Sequence, residues 1–115
     1  MLTRDQLLTS PVLPAEKVQV PELGGEVTVR TMSGTERDAF EAFIRARSQI
    51  GKLGENYRAA LIVFTVVDES GALMFTEADI DPLGKQSWLA LDRIVKVAAR
   101  LNSMADDDLK EAEKN

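Results

Sequence analysis

The residues able to do chemistry in this chain are carboxylates without a histidine or cysteine to help them. Nineteen acidic and fourteen basic side chains are spread over 115 residues, and His and Cys are both absent. That composition excludes a disulfide framework, a Cys/His zinc site, a thiol nucleophile and a Ser-His-Asp triad. Histidine is the commonest general base, so proton transfer here would need converging carboxylates. Asp68, Glu69, Asp79 and Asp81 are the candidate set, and each has a local explanation. Asp68-Glu69-Ser70-Gly71 is a turn tetrad, without the spaced acids and sixth-position glycine of an EF-hand loop. Thr76-Glu77-Ala78-Asp79 has the form of a capping box, with Asp in place of Glu. Asp106-Asp107-Asp108 suits the exposed N-terminal end of a last helical turn. Gly24-Gly25 belongs to neither GxGxxG nor GxxxxGK. The sequence therefore points to no catalytic, metal or cofactor site and does not read as an enzyme.

The net charge of −5 disfavours nonspecific binding to nucleic acid or an anionic membrane. No stretch has the length of a transmembrane helix. Met1-Leu2-Thr3-Arg4-Asp5 lacks the basic start and apolar core of a secretory signal. The length fits one domain with one modest core.

The elements that would position any site are organised around Ala59–Val67 (AALIVFTVV), the longest apolar run. A segment apolar on every side must be buried on every side. Periodicity alone does not separate a buried helix from a buried strand. The helix-forming flank Glu55-Asn56-Tyr57-Arg58 favours a central helix over about 54–66, with a buried strand as the alternative. The rest of the chain reads as its cover. Thr3-Arg4-Asp5-Gln6 matches a capping box and predicts a short helix, about Arg4 to Thr9, with Leu7 and Leu8 on one side. Lys17–Val20 and Glu26–Thr31 alternate around Pro21-Glu22-Leu23-Gly24-Gly25. This predicts a β-hairpin facing Val18, Val20, Val27 and Val29 to the core. Ser33-Gly34-Thr35-Glu36 is a second capping box, opening a helix with the stripe Ala39, Phe40, Phe43 and Ile44. Arg45 and Arg47 read as a solvated face. Gln49–Gly54 is a loop, and Val67–Phe75 a second hairpin-like turn. A short helix runs from Glu77 to about Leu83, with Gly84 ending it. Lys85–Asn102 is the longest amphipathic helix, its stripe made by Trp88, Leu91, Ile94, Val95, Ala98 and Leu101, with Trp88 as a packing anchor. The expected fold class is α+β, a predominantly helical single domain with an N-terminal β-hairpin and a buried central helix. Residues 1–15 form an N-terminal segment, 16–104 the core and 105–115 an acidic tail.

The order of three segments carries more information than any one motif. They are Val20-Pro21-Glu22-Leu23-Gly24-Gly25 leading to Val27, Val29, Arg30 and Ser33–Asp38; Val66–Gly71 leading to Phe75, Thr76 and Asp79; and Leu83-Gly84 through Ser87, Ala90-Leu91 and Arg93 to Leu101-Asn102, ending in Glu113-Lys114-Asn115. In this order they resemble the tail assembly chaperones of long-tailed, siphovirus-like bacteriophages. The resemblance spans nearly the whole chain and contains no catalytic motif.

The resemblance implies a small non-enzymatic protein, made in the cytoplasm of the infected or lysogenic bacterial host and absent from the mature virion. It implies a tape measure protein as partner, with the major tail tube protein as a second candidate, and self-association. The tape measure protein would be kept soluble until the tail tube polymerises. Such a role needs exposed apolar stripes or grooves and many copies, with no cofactor. The partner-binding candidates are Leu7, Leu8, Ile44, Ile50 and Leu109, each of which could instead be core. The family is often made in two forms by ribosomal frameshifting. Glu113-Lys114-Asn115 can be encoded as GAA AAA AAC, which contains the slippery run A AAA AAC. The alternative reading is a structural virion component, a tail-completion or head–tail joining protein.

Overall fold

A computed structural model describes residues 1–9, 12–52 and 54–104. Its order of elements is α1 (Arg4–Leu8), β1 (Ala15–Val20), a 3-10 turn (Pro21–Leu23), β2 (Gly25–Arg30), α2 (Gly34–Gln49), α3 (Tyr57–Val63), β3 (Val66–Val67), a second 3-10 turn (Glu77–Asp79), α4 (Ile80–Gly84) and α5 (Trp88–Leu101). The three strands form one antiparallel sheet in the order β1-β2-β3. Val18 pairs with Val27 and Glu16 with Val29, so the alternation read from the sequence sets the register. Val18, Val20 and Val29 are buried and Val27 packs against the core edge. Gly24 closes the connection at φ 73°, a left-handed position that favours glycine.

The central apolar run is split between the two alternatives. Residues Tyr57–Val63 are helical, and every one except Arg58 is buried. Phe64 ends the helix, Thr65 turns the chain, and Val66–Val67 form β3 beside β2. The expected helix over 54–66 is thus shorter by three residues at each end. Thr65 is fully buried at the break, and its hydroxyl donates to the Leu61 carbonyl at 2.7 Å. That bond satisfies a C-terminal helix carbonyl which the turn would leave without an amide partner. Asn56 enters α3 at φ 56°, a conformation Asn tolerates better than most residues.

α5 lies across β1 and β2 and against α3, which also meets α4 and α2. Leu91, Ile94, Val95 and Ala98 of α5 are buried as the stripe requires, but Trp88 is 62% exposed. It does not anchor the core. Helical side chains lean toward the N-terminus, and Trp88 is the first residue of α5, directly after the cap Ser87. Its ring therefore projects past the end of the packed stripe. Ala39 is also exposed, so the stripe of α2 narrows to buried Phe40 with half-buried Phe43 and Ile44. Gly84 ends α4 as expected, as its last residue. A Cβ there would meet Asn56 Oδ1 at 2.3 Å, so close approach explains the glycine.

The capping signals are local and appear as read. Glu36 N–H donates to Ser33 Oγ at 3.1 Å, and Ser33 N–H donates to Glu36 Oε1 at 2.9 Å. Arg30 extends this box by donating to both Glu36 oxygens, at 2.7 and 2.6 Å, and to the Gly71 carbonyl at 2.9 Å. One guanidinium thus joins β2, the start of α2 and the second hairpin turn.

Candidate functional site

Of the residues expected to bind a partner, Leu7 and Leu8 sit on α1, where nothing is buried. The helix is closed by its own groups. Gln6 N–H donates to Thr3 Oγ1 at 3.2 Å, Thr3 N–H donates to Gln6 Oε1 at 2.9 Å, and the Thr9 hydroxyl donates to the Asp5 carbonyl at 2.6 Å. Leu2 and Leu7 take the two positions of a hydrophobic staple, before the cap and at the fourth helical residue. Leu7 is nevertheless 65% exposed, and Met1, Leu2, Leu8 and Val12 are exposed as well. The segment is a locally satisfied turn with an uncovered apolar side.

Ile50 caps the end of α2 and is 66% exposed. Arg47 fixes that corner by stacking over Phe43, 4.9 Å from the ring centroid, and by pairing with Asp81 at 3.5 Å. Arg45 is exposed, as a solvated face requires, but Arg47 is half-buried and does not belong to that face. Ile44 is half-buried and lines an open groove of about 440 Å³ between α2, the start of α3 and the end of α5. Phe40, Tyr57 and Met104 supply the rest of its apolar wall, and Arg37, Glu41 and Arg45 its rim. Phe40 meets Tyr57 edge-on at 5.7 Å and Phe64 at 5.8 Å, a favourable aromatic geometry. Leu109 lies outside the described residues. The structure does not gather the four described candidates into one patch. It leaves Leu7, Leu8 and Ile50 open and builds Ile44 into a groove wall.

Several further apolar residues that the sequence did not read as exposed are so, namely Leu23, Met74, Trp88 and Leu89. Ser87 was the available signal for two of them. A cap at that position makes Trp88 and Leu89 the first two residues of α5, ahead of buried Ala90 and Leu91.

Asp68, Asp79 and Asp81 are engaged by local hydrogen bonds. Asp68 Oδ1 accepts from the Ser70 hydroxyl at 2.6 Å, the Ser70 N–H at 2.8 Å and the Ala72 N–H at 3.2 Å. The Ser70 hydroxyl, then its amide, hold the Asp68 carboxyl below the ordinary carboxylate range. Asp79 accepts from the Thr76 N–H at 2.8 Å, and Asp81 from Asn56 Nδ2 at 2.8 Å. Asp68 and Glu69 overlook a cleft of about 610 Å³ on the outer face of the sheet, beside Lys17 and Arg30. The Arg30 head group there is already engaged by Glu36 and Gly71. Glu22 is held below its ordinary pKa by its own backbone N–H and then by Arg93, whose Nε lies 2.8 Å away. Among the described residues no three acidic side chains come together to hold a metal ion. No described helix is long and apolar enough to cross a membrane.

The three-stranded sheet, buried central helix and overlying C-terminal helix define an α+β fold that a solved structure shares. That structure is the tail assembly chaperone of bacteriophage HK97. It superposes with a TM-score of 0.60 at 21% sequence identity, over 89% of this chain and 95% of that one. At this identity the likeness is one of fold, and the HK97 protein bears the name of the family that the sequence order resembles. No family model matches the chain, and no curated protein does.

Proposed function

We propose that this protein is a phage tail assembly chaperone that binds the tape measure protein and keeps it soluble until the tail tube polymerises around it. The observation that carries the reading is the fold likeness to the HK97 chaperone, which extends over nearly all of both chains. The uncovered leucines of α1 and the exposed Ile50 and Trp88 support it. Burying one such side chain against a partner stabilises by about 1.5–3 kcal/mol, and ordering and association costs offset much of that. A single copy then holds its partner weakly, and many copies along a repetitive helical partner hold it through avidity. Weak sites can be shed one by one as the tube advances. The tape measure protein is the first partner, the major tail tube protein a second candidate, and neighbouring copies of this chain a third. The site of action is the host cytoplasm, and the chemistry required is binding alone.

Quantitative mass spectrometry of tail-assembly extracts and purified virions separates this reading from a structural one. The chaperone reading expects the protein in the extract and its loss from the virion. A fixed copy number in the virion would instead identify a tail-completion or head–tail joining protein.

A further inference from the structure

The strand order β1-β2-β3 leaves one side of β1 without a neighbouring strand among the described residues. The register fixes which groups face that side. Thr31 N–H donates to the Pro14 carbonyl at 2.8 Å. The same alternation turns the main-chain groups of Glu16, Val18 and Val20 toward β2 and those of Ala15, Lys17 and Gln19 outward. The Arg30 N–H, which donates to the Thr65 carbonyl at 2.8 Å, fits this phase, because β2 turns its other set of groups toward β3. An edge of this kind is a template for another strand, and natural sheets blunt it with a proline, a bulge or a charge. Ala15–Val20 pairs without a bulge and contains no proline, and Lys17 is the one charge on its outer face.

The edge borders an open groove of about 370 Å³, lined by Val18 and Gln19 on one side and by Leu89, Asp92, Arg93 and Lys96 of α5 on the other. Leu89 is 47% exposed there. α5 packs on both β1 and β2, so its axis runs between them. If a twofold axis sets a second copy's β1 beside this one, the second α5 falls two strand spacings away, about 9.6 Å. Packed helices lie about 8–10 Å apart, so sheet pairing and helix packing are satisfied together. The two helices then run antiparallel. Asp92 and Lys96, opposite charges one turn apart, meet acid to base across the axis.

The residues of β1 choose the register. Outward main-chain groups must meet outward groups, so only every second alignment of two antiparallel copies can bond. The alignments that centre on Glu16 or on Lys17 set like charges directly opposite, which destabilises a pair. The alignment that centres on Gln19 opposes Glu16 to Glu22 and Lys17 to Pro21, which has no N–H to give. Alignments further out leave too little of the strand overlapped. One remains, with Val18 opposite Val18 and Lys17 opposite Gln19. We propose that β1 pairs with β1 of a second copy of this chain in this register, across a twofold axis beside Val18, joining the two sheets into one and covering Leu89. Such an interface is isologous and closes both edges at once. It rests on the proposed function only in giving a surface to the neighbouring copy named there; the pairing itself requires no tape measure protein.

The test uses the full chain without any partner. Sedimentation of the unmodified chain over a dilution series should show a dimer that dissociates. Gln19→Lys sets a lysine against Lys17 twice in that dimer and should raise its dissociation constant about three- to tenfold. Within one chain the new lysine faces Glu26, the cross-strand neighbour of Gln19, so a weakened dimer would not come from a weakened sheet. Because the sequence has no cysteine, single cysteines read the register. Val18→Cys should give a disulfide dimer, since a non-hydrogen-bonded pair lies about 4.5 Å apart at Cα, within the span of about 4.4–6.8 Å that a disulfide bridges. Lys17→Cys and Gln19→Cys, both at exposed positions, should cross-link with each other in a mixture and poorly alone. That pair reads the register even if Val18→Cys does not fold. Three results would overturn the proposal: a chain that stays monomeric at every concentration, a dimer indifferent to Gln19→Lys, or a cross-link that favours Lys17→Cys alone. A monomeric chain that still keeps the tape measure protein soluble would end this proposal and leave the chaperone reading standing.

Discussion

Asn102 shows how much one buried polar side chain can hold together. Its Oδ1 accepts from the Met32 N–H at 2.7 Å and its Nδ2 donates to the Ala98 carbonyl at 2.8 Å. It thus joins the β2–α2 junction to the end of α5, seventy residues away in sequence. Asn102→Ala leaves a buried donor without a partner and should cost about 1–3 kcal/mol, read as a lower denaturation midpoint. Gly84→Ala should cost a similar amount, about 1–3 kcal/mol, because the new methyl meets Asn56 while Asp81 holds that side chain in place. Asp68 makes a pH-dependent contribution of known sign. Its folded pKa is lowered, so its share of stability is complete above the ordinary carboxylate range and is lost as pH falls through the lowered value. A carboxyl titration by NMR should therefore find the Ser70 amide shift moving only in acid, and the movement should vanish in Asp68→Ala. The sequence identified the Asp68 turn and the Asn102 helix end, because both signals are local. The partner of Asn102 was not legible, since nothing in the local pattern marks Met32 as the donor.

At the scale of elements, local chemistry and tertiary packing divide the legible from the illegible. Capping boxes at Thr3, Ser33 and Thr76 form as their spacing requires, because each closes with groups three residues apart. The hairpin register comes from alternation. The split of Ala59–Val67 did not show, because a run without polar periodicity does not mark where helix gives way to strand. The change is made by the Thr65 hydroxyl and by β2 waiting alongside. Trp88 was misplaced for a related reason: a helical stripe does not say where its neighbours stop. Ser103, at φ 54°, offers a test of the cap at the end of α5, where the Ser103 N–H donates to the Arg100 carbonyl and the Met104 N–H to the Ala99 carbonyl. A residue with a Cβ in the left-handed region costs about 1–2 kcal/mol, so Ser103→Gly should raise stability by about 1 kcal/mol, measured by chemical denaturation. An unchanged midpoint would mean that the cap does not form.

For the whole molecule, the body is stabilised through α3 and the sheet, while the apolar residues offered to solvent lie on and beside α1, at Leu23 and Met74 in the turns, at the end of α2 and at the start of α5. The residues proposed for binding are therefore separable from those that stabilise the fold. Leu7→Ser with Leu8→Ser removes little buried surface, and exposed substitutions of this kind usually stay within about 0.5 kcal/mol each. Leu61→Ala, by contrast, empties a fully buried site and should cost about 2–5 kcal/mol. That Leu7, Leu8 and Ile50 are apolar residues the core need not use was legible, because they fall on the five-residue α1 or at the cap that ends α2. The groove around Ile44 was not, because Phe40, Tyr57 and Met104 come from segments far apart in the chain.

Binding to the tape measure protein is tested by co-expressing this protein with the tape measure protein encoded in the same genome, followed by pull-down and a solubility assay. The unmodified chain should keep the tape measure protein in the soluble fraction and co-purify in many copies. The Leu7→Ser, Leu8→Ser variant should fold normally and rescue much less of it. A tape measure protein that stays insoluble and unbound in the presence of the folded, unmodified chain would overturn the chaperone reading.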